Sequence, residues 1–145
     1  MKVVSGMFGR EKVHYVAPAP DRINREMKRF LDWLNSDVHT GYVKSAIAHL
    51  WFVCIHPFDD GNGRIGRPIA DMALAQAEDS NMRFFSISHQ KNKDKKQHYD
   101  ILEKTQKGDC EITEWINWYL DCLIRSVEQA DNILLNKATC LSASR

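Results

Sequence analysis

No apolar run in this sequence is long enough to cross a bilayer as a helix. The N-terminus lacks a basic segment followed by a continuous apolar stretch, so no signal peptide is expected. Excess charge of either sign is also missing. Twenty Lys and Arg face nineteen Asp and Glu, a formal net charge of +1. That provides no field to attract nucleic acid or an anionic membrane, and neither is expected as a partner. Cysteine is sparse, with four residues (Cys54, Cys110, Cys122 and Cys140), none in a C-x-x-C pair or at zinc-finger spacing with His. Cys54 and Cys122 lie inside apolar helical patterns and read as small core residues. Reduced thiols and a cytoplasmic setting follow as the simplest expectation. Internal repeats and low-complexity segments are absent.

What is present is ordinary globular material. The chain has 145 residues, 43% of them apolar and 27% charged, enough for one compact domain with a core. Val3-Val4 and Val13–Val16 form two short extended runs around Gly6 and Gly9, and Pro18 and Pro20 end the second. The pattern predicts a β-hairpin over about 3–16, which must lean on helices because a lone hairpin is marginal in water. From Asp21, placed to cap a first helix, the periodicity is helical, with Ile23, Met27, Phe30, Leu31 and Leu34 on one side. After a polar break at Asn35–Gly41, the segment 42–55 is apolar on nearly all faces, the signature of a buried central helix. It should end at His56, because the residue before Pro57 is pushed out of helical geometry. A further helix carries Ile65, Ile69, Met72, Ala73 and Ala77 on one side. Another, over about 88–106, presents the solvated run Lys91–Lys96 and buries Tyr99, Ile101 and Leu102. A last helix begins near Thr113 with Ile116, Tyr119, Leu120 and Leu123. The expected architecture is an all-α domain over 1–137 with a hairpin at its start, followed by a disordered tail, 138–145.

One stretch is unlike the rest: His56-Pro57-Phe58-Asp59-Asp60-Gly61-Asn62-Gly63-Arg64-Ile65-Gly66-Arg67. A histidine closes a buried helix, and a glycine-rich loop feeds directly into the next helix N-terminus. Glycines let backbone N–H groups converge, and a helix N-terminus adds free N–H groups and its dipole, so the segment predicts an anion site suited to phosphate. Arg64 and Arg67, three apart, share a face yet oppose the dipole, which makes sense around a polyanion. Asp60 is the hard carboxylate that Mg²⁺ takes together with phosphate oxygens. His56 is a base able to titrate near neutrality.

The segment resembles the motif H-P-F-x-[D/E]-G-N-G-R-x-x-R of the Fic (Fido-fold) family, with every specified position met. Ala48–Phe52, Ile69–Leu74 and Tyr99–Glu103 are similar to the same family. The resemblance implies a Fic/Fido helical bundle whose hairpin is a flap that adds the target protein as a strand. It implies AMP transfer from Mg·ATP to a Ser, Thr or Tyr hydroxyl of that target, with His56 as the catalytic base. Asp60 would hold Mg²⁺, Gly61 and Gly63 would offer N–H groups to the phosphates, and Asn62 would contact the α-phosphate. Arg64 would bind the β-phosphate and Arg67 the γ-phosphate, and Phe58 would anchor the loop in the core. Doc-like relatives that transfer phosphate carry lysine where this chain has Gly63, so Gly63 favours AMP.

Competing readings were a nucleotide-binding regulatory module without turnover, a Mg²⁺-dependent phosphohydrolase, and transfer of another phosphate-containing group. Intact His56 and Asp60 argue against the first, and a single metal carboxylate against the second. His49 reads as a core histidine, His89 and His98 as surface residues, and Trp115 and Trp118 as core anchors. The family's inhibitory pattern [S/T]-x-x-x-E-[G/N] does not occur. The chain opens within the presumed flap, which predicts an excised core. An inhibitor would then come from another chain, such as an antitoxin, or from upstream sequence.

Overall fold

The computed structural model describes residues 2–5, 10, 12–38, 41–78 and 93–143. Expectations that fall on Gly6, Gly9, His89 and Lys91 lie outside them, as do those on the side chains of Ala77 and Cys140. Strands β1 (Lys2–Ser5) and β2 (Lys12–Val16) pair antiparallel as the predicted hairpin. Five helices follow among the described residues: α1 (Pro20–Leu34), α2 (Gly41–Ile55), α3 (Asn62–Glu78), α4 (Lys95–Lys107) and α5 (Thr113–Ala143). No helix among the described residues is long and apolar enough to cross a membrane.

Helix α2 is the centre of the bundle, as its uniform apolarity requires. One side packs Ala46, Leu50 and Val53 with Leu74 of α3, Leu102 of α4, and Trp115, Trp118, Tyr119, Cys122 and Leu123 of α5. The other packs Ala48, Phe52 and Ile55 with Phe30 and Leu34 of α1 and Ala73 of α3. Burying each large side chain contributes roughly 1.5–3 kcal/mol. Several polar atoms taken into this core bond across helices. Trp115 Nε1 donates to the Ala46 carbonyl at 2.9 Å, Ser45 Oγ donates to the Ala70 carbonyl at 2.7 Å, and the Tyr119 hydroxyl meets Ser45 Oγ at 2.6 Å. Trp115 and Trp118 are core anchors, as expected. The three described cysteines are unbridged, with Cys122 buried and Cys54 half-buried.

Several local expectations are corrected. Asp21 lies in the first turn of α1 and does not cap it; Ala19 precedes the helix and Pro20 opens it, proline being favoured there. The buried face of α3 is not Ile65 and Met72, which are exposed, but Gly66, Ala70, Ala73 and Leu74. Small residues let α3 approach α2 closely: a Cβ on Gly66 would sit 3.3 Å from Val53 and 3.4 Å from both His49 and Phe52. Helix α4 starts at Lys95, and its Tyr99 is 57% exposed. Helix α5 runs to Ala143, past Lys137, because neither Gly nor Pro interrupts the sequence after Gly108.

Candidate active site

The loop between α2 and α3 is built around an unusual residue. His56 has φ +50°, the left-handed conformation that glycine or asparagine normally supplies at a helix C-terminus. The expectation was only that Pro57 would push His56 out of the helix; the direction taken is the costly one, by about 1–2 kcal/mol for a non-glycine residue. Its backbone N–H still donates to the Phe52 carbonyl at 3.1 Å, and its Nδ1 lies 3.3 Å from the Val53 carbonyl. With the Nδ1 proton on that carbonyl, the lone pair is on Nε2.

Asn62 then locks the loop. Buried to 3% exposure, it accepts the Phe58 N–H on Oδ1 at 3.0 Å and donates from Nδ2 to the Phe58 carbonyl at 2.6 Å. This two-way clamp on the main chain holds Phe58, whose ring is 47% exposed and only edges Phe52 at a centroid distance of 6.4 Å. Phe58 is therefore not sunk in the core; the amide of Asn62 does the anchoring expected of its ring. Gly61, at φ +86°, makes the turn that a side chain would strain.

The first intrahelical bond of α3 runs from Ile65 N–H to the Gly61 carbonyl at 2.9 Å. The N–H groups of Asn62, Gly63 and Arg64 thus precede the helical ladder and form an anion-binding end. Gly61 differs from expectation, since its N–H donates to Asp60 Oδ1 at 2.6 Å. Asp60 Oδ2 pairs with Arg64 at 2.6 Å, an i,i+4 contact with both side chains well exposed. Such a pair is worth at most about 1 kcal/mol and opens easily. The proposed metal carboxylate and phosphate arginine thus neutralise each other here. Arg67 makes no ion pair with another described residue.

His56, Asp60, Gly61, Asn62, Gly63, Arg64 and Arg67 all line one cavity of about 730 Å³, within the usual range for small-molecule sites. Another wall is α4, chiefly one face of it, Lys95, His98, Tyr99, Leu102, Glu103 and Gln106, with Asp100 beside that face. Except for Tyr99 and Leu102, which were assigned to the core, the sequence reading did not assign these residues to a functional face. Their i, i+3, i+4, i+7, i+8, i+11 spacing, polar and aromatic, was the available signal. His98 is not a simple surface residue: it stacks on Trp118 at 5.1 Å and 13°. His49 is a core residue, 2% exposed and parallel to Trp115 at 5.8 Å, and also part of the cavity floor. Val3 and His14 of the hairpin complete the rim.

Fold and site together define an all-α domain in which a histidine and the glycine-rich loop at a helix N-terminus line one cavity. A family model described as "Fic/DOC family" matches residues 2–74. The chain is 30% identical over 132 residues to a protein adenylyltransferase Fic of Drosophila willistoni, and 33% identical over 132 residues to one of Aedes aegypti. Each alignment covers 87% of this chain and 25% of the relative, so the chain spans about a quarter of the length of these curated relatives. A crystal structure of a Fic family protein from Desulfovibrio desulfuricans superimposes with a TM-score of 0.73 at 27% identity, covering 88% of this chain and 38% of that one. The chain belongs to the Fic/DOC family.

Proposed function

We propose that this chain is an adenylyltransferase core that moves AMP from Mg·ATP onto a Ser, Thr or Tyr hydroxyl of a protein. The observation that carries the reading is the convergence of His56 and the phosphate cradle on one cavity. The relatives' name, protein adenylyltransferase Fic, agrees with it.

Nε2 of His56 takes the hydroxyl proton as the oxygen attacks the α-phosphorus. The bond from that phosphorus to the α–β bridging oxygen breaks, and pyrophosphate leaves. The Val53 carbonyl holds the imidazole in the tautomer this requires. The N–H groups of Asn62, Gly63 and Arg64 meet the developing charge from the fixed backbone, joined by the Arg67 guanidinium and by that of Arg64 once it leaves Asp60. Because its side chain clamps Phe58, Asn62 contributes through its main-chain N–H.

Asp60 would hold Mg²⁺. The residues fit that ion: exposed carboxylates, Asp60 and its neighbour Asp59, stand beside the cradle. Mg²⁺ needs no more from the protein, since it takes most of its ligands from phosphates and water. When bound it supplies charge neutralisation at the phosphates.

Gly63 supports AMP as the transferred group. Its φ is not positive, and a Cβ there would meet nothing within 4 Å. The fold does not demand a glycine at this helical position, where alanine would be favoured by up to about 1 kcal/mol. A demand for open space over the cradle explains it. The hairpin, on the rim, is proposed to receive the target as an added strand.

ATP labelled separately at the α- and γ-phosphates, incubated with the chain and a lysate, tests the reaction. The α-label should reach protein and the γ-label should not. Reproducible γ-label transfer would make the chain a phosphotransferase.

A further inference from the structure

The hairpin register contains one irregularity. Val3 pairs with Tyr15, but Val4 pairs with Val13, so His14 faces no residue of β1. It is the extra residue of a β-bulge. Regular strands send neighbouring side chains to opposite faces, whereas a bulge re-aims one of them. Here two consecutive side chains of β2 reach the helices. The Tyr15 hydroxyl donates to the Cys54 carbonyl of α2 at 2.9 Å. His14 Nδ1 meets Glu103 Oε2 of α4 at 2.6 Å, with the two side chains 28% and 23% exposed. Glu103 is itself oriented, because its other oxygen takes Lys107 Nζ at 2.5 Å. His14 and Glu103 both line the cavity.

We propose that His14 is a positioning residue: the bulge turns its imidazole onto Glu103, and this latch fixes the hairpin over the cavity. The inference rests on the adenylyltransferase reading only for its consequence, which is alignment of an incoming target strand. A two-stranded hairpin is marginal by itself, so its few polar tethers decide where it sits. Tyr15 fixes the hairpin to the end of α2, and His14 fixes it to α4. Two tethers to two helices define an orientation, which one would leave free to swing. Glu103 lies on the face of α4 that lines the cavity, so the latch ties the hairpin to that wall.

The test is amide hydrogen exchange on the whole chain, comparing wild type with His14→Ala, Glu103→Ala, the double variant and the exchanged pair His14→Glu/Glu103→His. Affinity for Mg·ATP is measured calorimetrically on each. Either single variant should speed exchange at 12–16 several-fold, leaving exchange in α2 and α5 and the ATP affinity within about twofold of wild type. The double variant should be no faster than the singles, and the exchanged pair should recover most of the protection. Unchanged exchange in the single variants overturns the proposal. So do additive effects in the double variant, or a loss of protection spread through α2 and α5, which would make the pair a general stability contact. The measurement needs no turnover. A latch without any AMP transfer by wild type would sink the adenylyltransferase reading and leave the latch standing.

Discussion

The phosphate cradle and the hairpin face the same cavity but are held in opposite ways. The cradle lies between α2 and α3, which meet at Gly66 with no room for a Cβ at ordinary contact distance. Asn62 is buried and clamps Phe58, and His56 accepts a strained backbone angle to bring its ring to the cavity. The hairpin has no comparable core. Val13 and Val16 are 40% and 61% exposed, and among the described residues its side-chain hydrogen bonds to the helices run from His14 and Tyr15. Phosphorus chemistry needs reacting groups placed to within a fraction of an ångström, which dense packing provides. A surface proposed to accept another protein's backbone needs an edge that is positioned but accessible.

Three substitutions sharpen this contrast. The largest effect is expected at Gly66. Gly66→Leu should drive α3 from α2, destabilise the fold by roughly 1–3 kcal/mol, and weaken ATP binding in parallel. Denaturant unfolding and calorimetry would check it. Loss of stability with unaltered ATP affinity would show that the cradle does not depend on the packing beneath it. Asp60→Ala should come next. It removes an exposed ion pair and an exposed hydrogen bond from the Gly61 N–H, so the melting midpoint should shift little, while the dependence of ATP affinity on Mg²⁺ disappears. Persisting Mg²⁺ dependence would place the metal on other residues.

The smallest effect concerns Tyr15. Burial, with the neighbouring Cys54 adding to it, pushes its phenol from 10.0 up to about 12. The neutral phenol is the form favoured by docking. Its contribution is therefore fully present below about pH 10 and is lost as pH rises through about 12. In a tyrosinate absorbance titration, wild type should show a late step near pH 12 that Tyr15→Phe removes. A titration that Tyr15→Phe leaves unchanged would mean that the hairpin is not docked as described.

The same contrast separates what was legible in the sequence from what was not. The helical bundle, the central place of α2, the hairpin and the grouping of seven motif residues were all readable, because periodicity and a dense motif report them directly. The buried face of α3 was misread in part because Gly66 and Ala70 carry little hydrophobic signal, although small residues are what let two helices touch. Tyr99 was assigned to the core because an aromatic at helical spacing looks buried; a cavity at that point leaves it 57% exposed. The Asn62 clamp, the Asp60–Arg64 pair and the bulge at His14 are matters of side-chain direction and register. Residue spacing leaves these open.

The claim on which the rest depends is that His56 serves the hydroxyl while the loop after it serves the phosphates. Mg·ATP affinity and AMP transfer should be measured side by side on wild type and His56→Ala. Transfer should fall by roughly 10²–10⁴ with affinity changed no more than a few-fold, as loss of a general base demands. Wild-type transfer by the alanine variant, or a loss of ATP affinity as large as the loss of transfer, would contradict that division of labour.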